Sequence, residues 1–159
     1  MYRIGYSEDI HQVVKGRKLV LAGLPFDVDF GLDGHSDADV VLHAVTEAIF
    51  GALALGDLGD HFPDNDPKYK DANSSIFVKE AVHFMKQEGY HLSNVDVQLA
   101  LAKPRLNDYK CEMIRSLANL LEVEVNQVSI KAMSFNKVGP IGEGKAIKAS
   151  AIVLLEKNK

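Results

Sequence analysis

Asp9 and His11 are one residue apart in Asp9-Ile10-His11, and His43 closes the run His35-Ser36-Asp37-Ala38-Asp39-Val40-Val41-Leu42-His43. Two imidazoles and one carboxylate form a ligand set for catalytic zinc, with a fourth position left open. The spacing permits it. On a strand, residues i and i+2 point the same way, so Asp9 and His11 can converge while a helix supplies His43. A plainer reading stands beside this one, because Asp-x-His is a common triplet and a lone histidine on an apolar helix is more often a satisfied core residue.

Other segments offer polar chemistry. His35-Ser36-Asp37 precedes an apolar helical pattern, and a helix N-terminus suits phosphate; Ser36 and Asp37 also read simply as caps. The stretch from Gly56 to Pro67 is dense in Gly, Pro, Asp and Asn and reads as a long loop. Its aspartates could meet a ribose hydroxyl or a metal, or merely favour turns. Ala102-Lys103-Pro104-Arg105-Leu106 follows an alternating strand, where a basic pair could neutralise phosphate. The glycine loop Gly139–Gly144 lacks the Lys-Ser/Thr of a nucleotide-binding P-loop and reads as tight turns.

The elements that must position these groups follow from periodicity. The apolar opening predicts a strand over Tyr2–Ser7, and Lys18–Ala22 a second. A helix capped by Ser36 or Asp37 runs through Val40, Val41, Ala44, Val45, Ala48 and Ile49 and ends near Gly56. A second helix spans about Ser74–Glu88. Asn94–Leu101 alternates strictly, with Val95, Val97, Leu99 and Leu101 on one face and Asn94, Asp96, Gln98 and Ala100 on the other. A helix over Asp108–Leu121 and strands over Val128–Met133 and Lys145–Leu155 complete the pattern, with a right-handed crossover expected near the end. The expected fold class is α/β (α+β): one two-layer domain over residues 1–159, a mixed β-sheet with helices packed on one face. The uncovered, partly polar sheet face calls for a homo-oligomer.

The net charge is −4 and no basic block occurs, which argues against a nucleic-acid partner. No apolar run reaches membrane-spanning length and no signal peptide opens the chain, so a cytoplasmic protein without a membrane partner is expected. The single cysteine, Cys111, excludes an internal disulfide and is expected to be inert packing.

Taken in order, the segments resemble the 2-C-methyl-D-erythritol 2,4-cyclodiphosphate synthase family over essentially the whole chain. The likeness rests on Arg3-Ile4-Gly5, Asp9-Ile10-His11, His35–Ala44, Ala54–Gly59, Phe62–Pro67, Gly89-Tyr90, Asn94-Val95-Asp96 and Lys103–Leu106. It implies a lyase of isoprenoid precursor biosynthesis that converts the CDP ester of methylerythritol 2-phosphate to the cyclic diphosphate and CMP. It implies a homotrimer assembled around its sheets, with active sites between subunits and one zinc per subunit on Asp9, His11 and His43. His35, Asp9 and His43 would be catalytic. His35 and Ser36 would hold the 2-phosphate, Asp57 and Gly59 the ribose, and Asp64 the methylerythritol. Phe62, Asp66, Ser134 and Asn136 would also bind substrate. Leu101, Lys103, Pro104, Arg105 and Leu106 would read cytosine and the phosphates. Magnesium or manganese is expected with the substrate.

Three departures stand out. Ser7 and Glu8 precede Asp9 where the family tends to have Gly and an aromatic residue. Asn136 stands where the family has a metal-binding Glu, and an amide oxygen is a poorer ligand for a hard cation. Glu143 stands where Arg is common. Two alternatives accompany the leading function: a mononuclear zinc phosphoesterase, and a trimeric ligand-binding relative whose catalysis has lapsed.

Overall fold

Strand β1 (Tyr2–Lys15) is far longer than its apolar opening suggests. Its partner explains the length: antiparallel pairing with the last strand runs from Tyr2↔Glu156 to Gln12↔Ala146. Asp9 and His11 therefore lie inside a sheet strand, not after one. The computed structural model describes residues 1–159. After β1 come β2 (Leu19–Leu21), β3 (Leu24–Phe26), β4 (Phe30–Leu32), α1 (Val40–Leu53), α2 (Leu58–His61), α3 (Ser75–Gln87), β5 (Tyr90–Ala100), α4 (Lys110–Leu121), β6 (Val128–Met133), α5 (Gly139–Gly142) and β7 (Ala146–Lys157). The main sheet has the order β4-β1-β7-β5-β6, while β2 and β3 form a separate hairpin. Only β5 and β6 are parallel, joined through α4, so the sheet is mixed as expected.

Helix α1 is buried on nearly every side, which its apolar composition requires. Its N-cap is Asp39, whose carboxylate accepts the N–H groups of Val41 and Leu42. The cap expected at Ser36 or Asp37 is displaced because Ala38 is left-handed, φ 57°, and turns the chain before the helix begins. The helix ends at Leu53, three residues before Gly56, with Ala54 left-handed. Gly5 allows α1 to press onto β1: a Cβ there would lie 1.8 Å from the Ala48 carbonyl oxygen.

Side chains on the helix side of the sheet join one core. The opposite face of β1 exposes Tyr2, Ile4, Tyr6 and Ile10, and β7 adds Ile152. The outer face is thus more apolar than the alternation of β5 alone predicts. Two further expectations are corrected. Cys111 lies on α4 but is exposed, so it is not packing. The segment from Gly56 to Pro67 is not loop throughout, since Asp57 caps the one-turn helix α2 by a capping box with Asp60.

Candidate metal centre and substrate clefts

The ligand atoms of Asp9, His11 and His43 all lie within 4.8 Å of one another. Asp9 Oδ2 is 3.0 Å from His11 Nε2 and 3.0 Å from His43 Nδ1. The remaining ring nitrogens fix the tautomers. His11 Nδ1 meets the Asp33 carbonyl oxygen, which can only accept, so it carries the proton. Ser74 Oγ donates to Asp37 Oδ1 and is thereby left to accept from His43 Nε2 at 2.8 Å. Each neutral imidazole then turns a lone pair toward the Asp9 carboxylate. Three electron-rich atoms facing one another need positive charge between them, from protons or a cation. A divalent metal fits this donor set, and the Asp33 and Ser74–Asp37 contacts are the outer hydrogen bonds that orient metal-binding histidines. Without metal, protons fill the role. Burial pushes the Asp9 carboxyl up, but bonds from both histidines outweigh it and hold the group well below the ordinary carboxylate range. The Asp9 bond raises the His11 pKa, against the opposing effect of burial.

Gly34 leaves room for this arrangement, since a Cβ there would sit 3.1 Å from His11 Cε1. Arg17 braces the same turn, donating to the Gly34 and Ser36 carbonyl oxygens at 2.6 Å each. One pocket brings the triad together with His35, Ser36, Phe62 and Asp64. Asp66 holds His35 rather than lining that pocket, its carbonyl oxygen accepting from His35 Nε2 at 3.1 Å. Asp57 and Gly59 flank the lining residue Leu58 and do not line the pocket themselves. A second cleft gathers Leu101, Lys103, Pro104, Arg105, Leu106, Ser134 and Asn136, together with Lys15 and Lys137. The two clefts share no residue. Phe135, Asn136 and Lys137 form a left-handed turn, with φ of 57°, 48° and 67°.

The pocket also holds Glu47, Leu58, Tyr69 and Phe77, which sequence reasoning passed over. Glu47 had a readable signal: it follows His43 by four residues and so shares its helix face. Ser74 had none, because its role depends on a contact across 31 residues.

The profile of the YgbB family matches residues 2–156. The chain belongs to the YgbB family. Among its YgbB relatives, 2-C-methyl-D-erythritol 2,4-cyclodiphosphate synthase of Geobacillus kaustophilus is 47% identical over 158 residues, covering 99% of this chain and 100% of the relative. The enzyme of the same name from Solibacter usitatus is 46% identical, covering 98% of each. The solved structure of IspF from Plasmodium falciparum, a CDP complex, superposes with a TM-score of 0.88 at 30% identity, over 99% of this chain and 97% of that one. Bifunctional IspDF of Campylobacter jejuni gives a TM-score of 0.94 at 34% identity, with 99% of this chain covering 42% of that longer chain. The family resemblance expected from the ordered motifs, to 2-C-methyl-D-erythritol 2,4-cyclodiphosphate synthases, is thereby shown.

Proposed function

We propose that this single-domain chain is a 2-C-methyl-D-erythritol 2,4-cyclodiphosphate synthase, acting on the CDP ester of 2-C-methyl-D-erythritol 2-phosphate. The observation that carries the reading is the metal-ligating triad opening into the pocket of His35 and Ser36, in a chain matching enzymes of that name along its full length. An oxygen of the 2-phosphate forms a bond to the β-phosphorus. The bond from that phosphorus to the oxygen of CMP breaks, and CMP leaves with the electron pair. The nucleophile is already anionic, so positioning and charge neutralisation dominate over base catalysis.

Asp9, His11 and His43 would hold one zinc, and the bound ion would polarise the phosphoryl group under attack. His35 and Ser36 bind the 2-phosphate, while Phe62 and Asp64 surround the methylerythritol and Asp66 acts through its hold on His35. Asp57 and Gly59 contact the ribose. Leu101, Lys103, Pro104, Arg105 and Leu106 receive cytosine and the phosphates, with Ser134 and Asn136 beside them. Magnesium or manganese arrives with the substrate. Because the two clefts share no residue, we assign the complete site to a homotrimer in which one subunit's metal pocket faces a neighbour's basic cleft. The exposed Tyr2, Ile4, Tyr6, Ile10 and Ile152 support burial of that sheet face between subunits. The enzyme would work in the cytoplasm.

Incubation with the cytidylyl substrate, followed by phosphorus NMR, tests the activity. CMP with the cyclic diphosphate is the expected outcome. Linear hydrolysis products would indicate a phosphoesterase, and no turnover a lapsed relative. Light scattering that gives a monomer at micromolar concentration would refute the trimer.

A further inference from the structure

The contact between Asp9 and His43 is one rung of a ladder between β1 and α1. Two residues of strand cover about 6.8 Å and four residues of helix about 6 Å, so a second rung fits one step along. Ser7 and Glu47 make it: the buried Ser7 hydroxyl donates to Glu47 Oε2 at 2.6 Å. A further step along the strand, Gly5 packs against the helix backbone at Ala48 and Ala52. The other carboxylate oxygen of Glu47, Oε1, accepts the Leu58 N–H at 3.3 Å. Leu58 is the first residue of α2, between Asp57 and Gly59.

Glu47 lines the metal pocket and forms no ion pair with any Lys, Arg or His. An unneutralised carboxylate in a pocket for phosphate is a liability through like-charge repulsion. Here each of its oxygens is occupied by a hydrogen bond to the protein. We propose that Glu47 is a positioning residue that fixes the Asp57–Gly59 segment relative to the metal triad and so sets affinity for the nucleotide half of the substrate. The inference rests on the proposed contact of Asp57 and Gly59 with the ribose. Glu47 links three separate pieces of the site: the metal strand through Ser7, the metal helix through its own backbone, and α2 through Leu58.

Three variants of the intact protein test it, Glu47→Ala, Glu47→Gln and Ser7→Ala, each followed by amide hydrogen exchange at Leu58, CDP affinity, KM, kcat and bound zinc. In Glu47→Ala, Leu58 exchange and both the CDP Kd and KM should rise roughly tenfold, the scale of one lost hydrogen bond to a charged group. The change in kcat should be smaller, and zinc should remain at one per chain. Glu47→Gln should restore most of KM, since its carboxamide can still accept from Leu58 and donate to Ser7. Ser7→Ala should shift the same readouts less far. Unchanged Leu58 exchange in Glu47→Ala would overturn the proposal. So would raised exchange with unchanged CDP affinity, or a loss confined to kcat. Should Glu47→Ala fail to fold, wild-type exchange and CDP affinity in Ser7→Ala would overturn it equally. If the wild-type protein releases no CMP, the functional reading falls on its own, while Leu58 exchange and CDP affinity still decide the role of Glu47.

Discussion

Replacing Gly5 by alanine should disable the metal centre without touching a ligand. The added Cβ would stand 1.8 Å from the Ala48 carbonyl oxygen and 2.9 Å from the Ala52 nitrogen, both helix backbone. Real Cβ contacts are essentially never under 3.0 Å, so strand and helix must part by about 1.2 Å. Neither side can yield by a rotamer change. His43 lies little more than a turn from Ala48 on the same helix, and Asp9 four residues from Gly5 on the same strand. A metal site tolerates displacements of about 0.2 Å, so transmission of even a fifth of the shift exceeds its margin. Overpacking of this kind costs about 3 kcal/mol, or about 9 °C in Tm for a chain of this size. Zinc affinity should fall about 100-fold. Thermal melts of metal-free protein and zinc titration with a competing chelator measure the two effects. A Gly5→Ala protein with wild-type Tm and zinc affinity would refute the close-contact argument.

Ser74→Ala should weaken zinc binding about tenfold with the fold intact, because His43 Nε2 loses its 2.8 Å acceptor and keeps only the longer 3.2 Å contact with Ser36 Oγ; competitive chelation measures it, and unchanged affinity would remove Ser74 from the site. In the metal-free protein, His11 has a raised pKa, so its contribution to stability is complete below its unfolded value of about 6.5 and lost as pH rises through the folded value. Asp9, depressed, contributes above about 3.8 and is lost only in stronger acid. Chelator-treated protein should therefore lose Tm as pH rises above about 6.5, whereas zinc-loaded protein, which needs His11 neutral, should not; parallel profiles would contradict the assigned protonation. Asn136→Glu should lower the magnesium concentration for half-maximal CMP release, and identical titrations would show that this turn does not hold the second metal. The same variant should cost about 1 kcal/mol in a denaturant melt, because position 136 is left-handed and asparagine tolerates that conformation better than glutamate.

Much of the frame was legible in the residues. The alternation of Val95, Val97 and Leu99 marked β5, and these side chains are indeed buried. The triad residues were readable because i+2 strand spacing and a helical histidine are local patterns. The far half of β1 was not, since Asp9–Lys15 is mostly polar and is strand only because β7 and β4 pair with it. The start of α1 escaped because Ser36, Asp37 and Asp39 are all capping residues. What selects Asp39 is a left-handed alanine that no propensity predicts, together with the N–H groups of Ala22 and Gly23, which also bind its carboxylate. The Ser74–Asp37 support of His43 was invisible for the same reason: it joins segments that only the folded chain brings together.

The two faces of β1 tie together properties that usually evolve apart. The residues pointing inward include Ser7, Asp9 and His11, while Tyr2, Ile4, Tyr6 and Ile10 point outward. Insertion or deletion of one residue between Arg3 and Asp9 would break the alternation, either turning the metal ligands into solvent or turning the outward residues that precede them against the helix. Point substitutions can adjust either face independently, but length changes cannot. Lineages of this chain should therefore accept indels in the turns around Gly16 and Gly89 and reject them anywhere between Arg3 and His11, a pattern that deep insertion scanning would reveal.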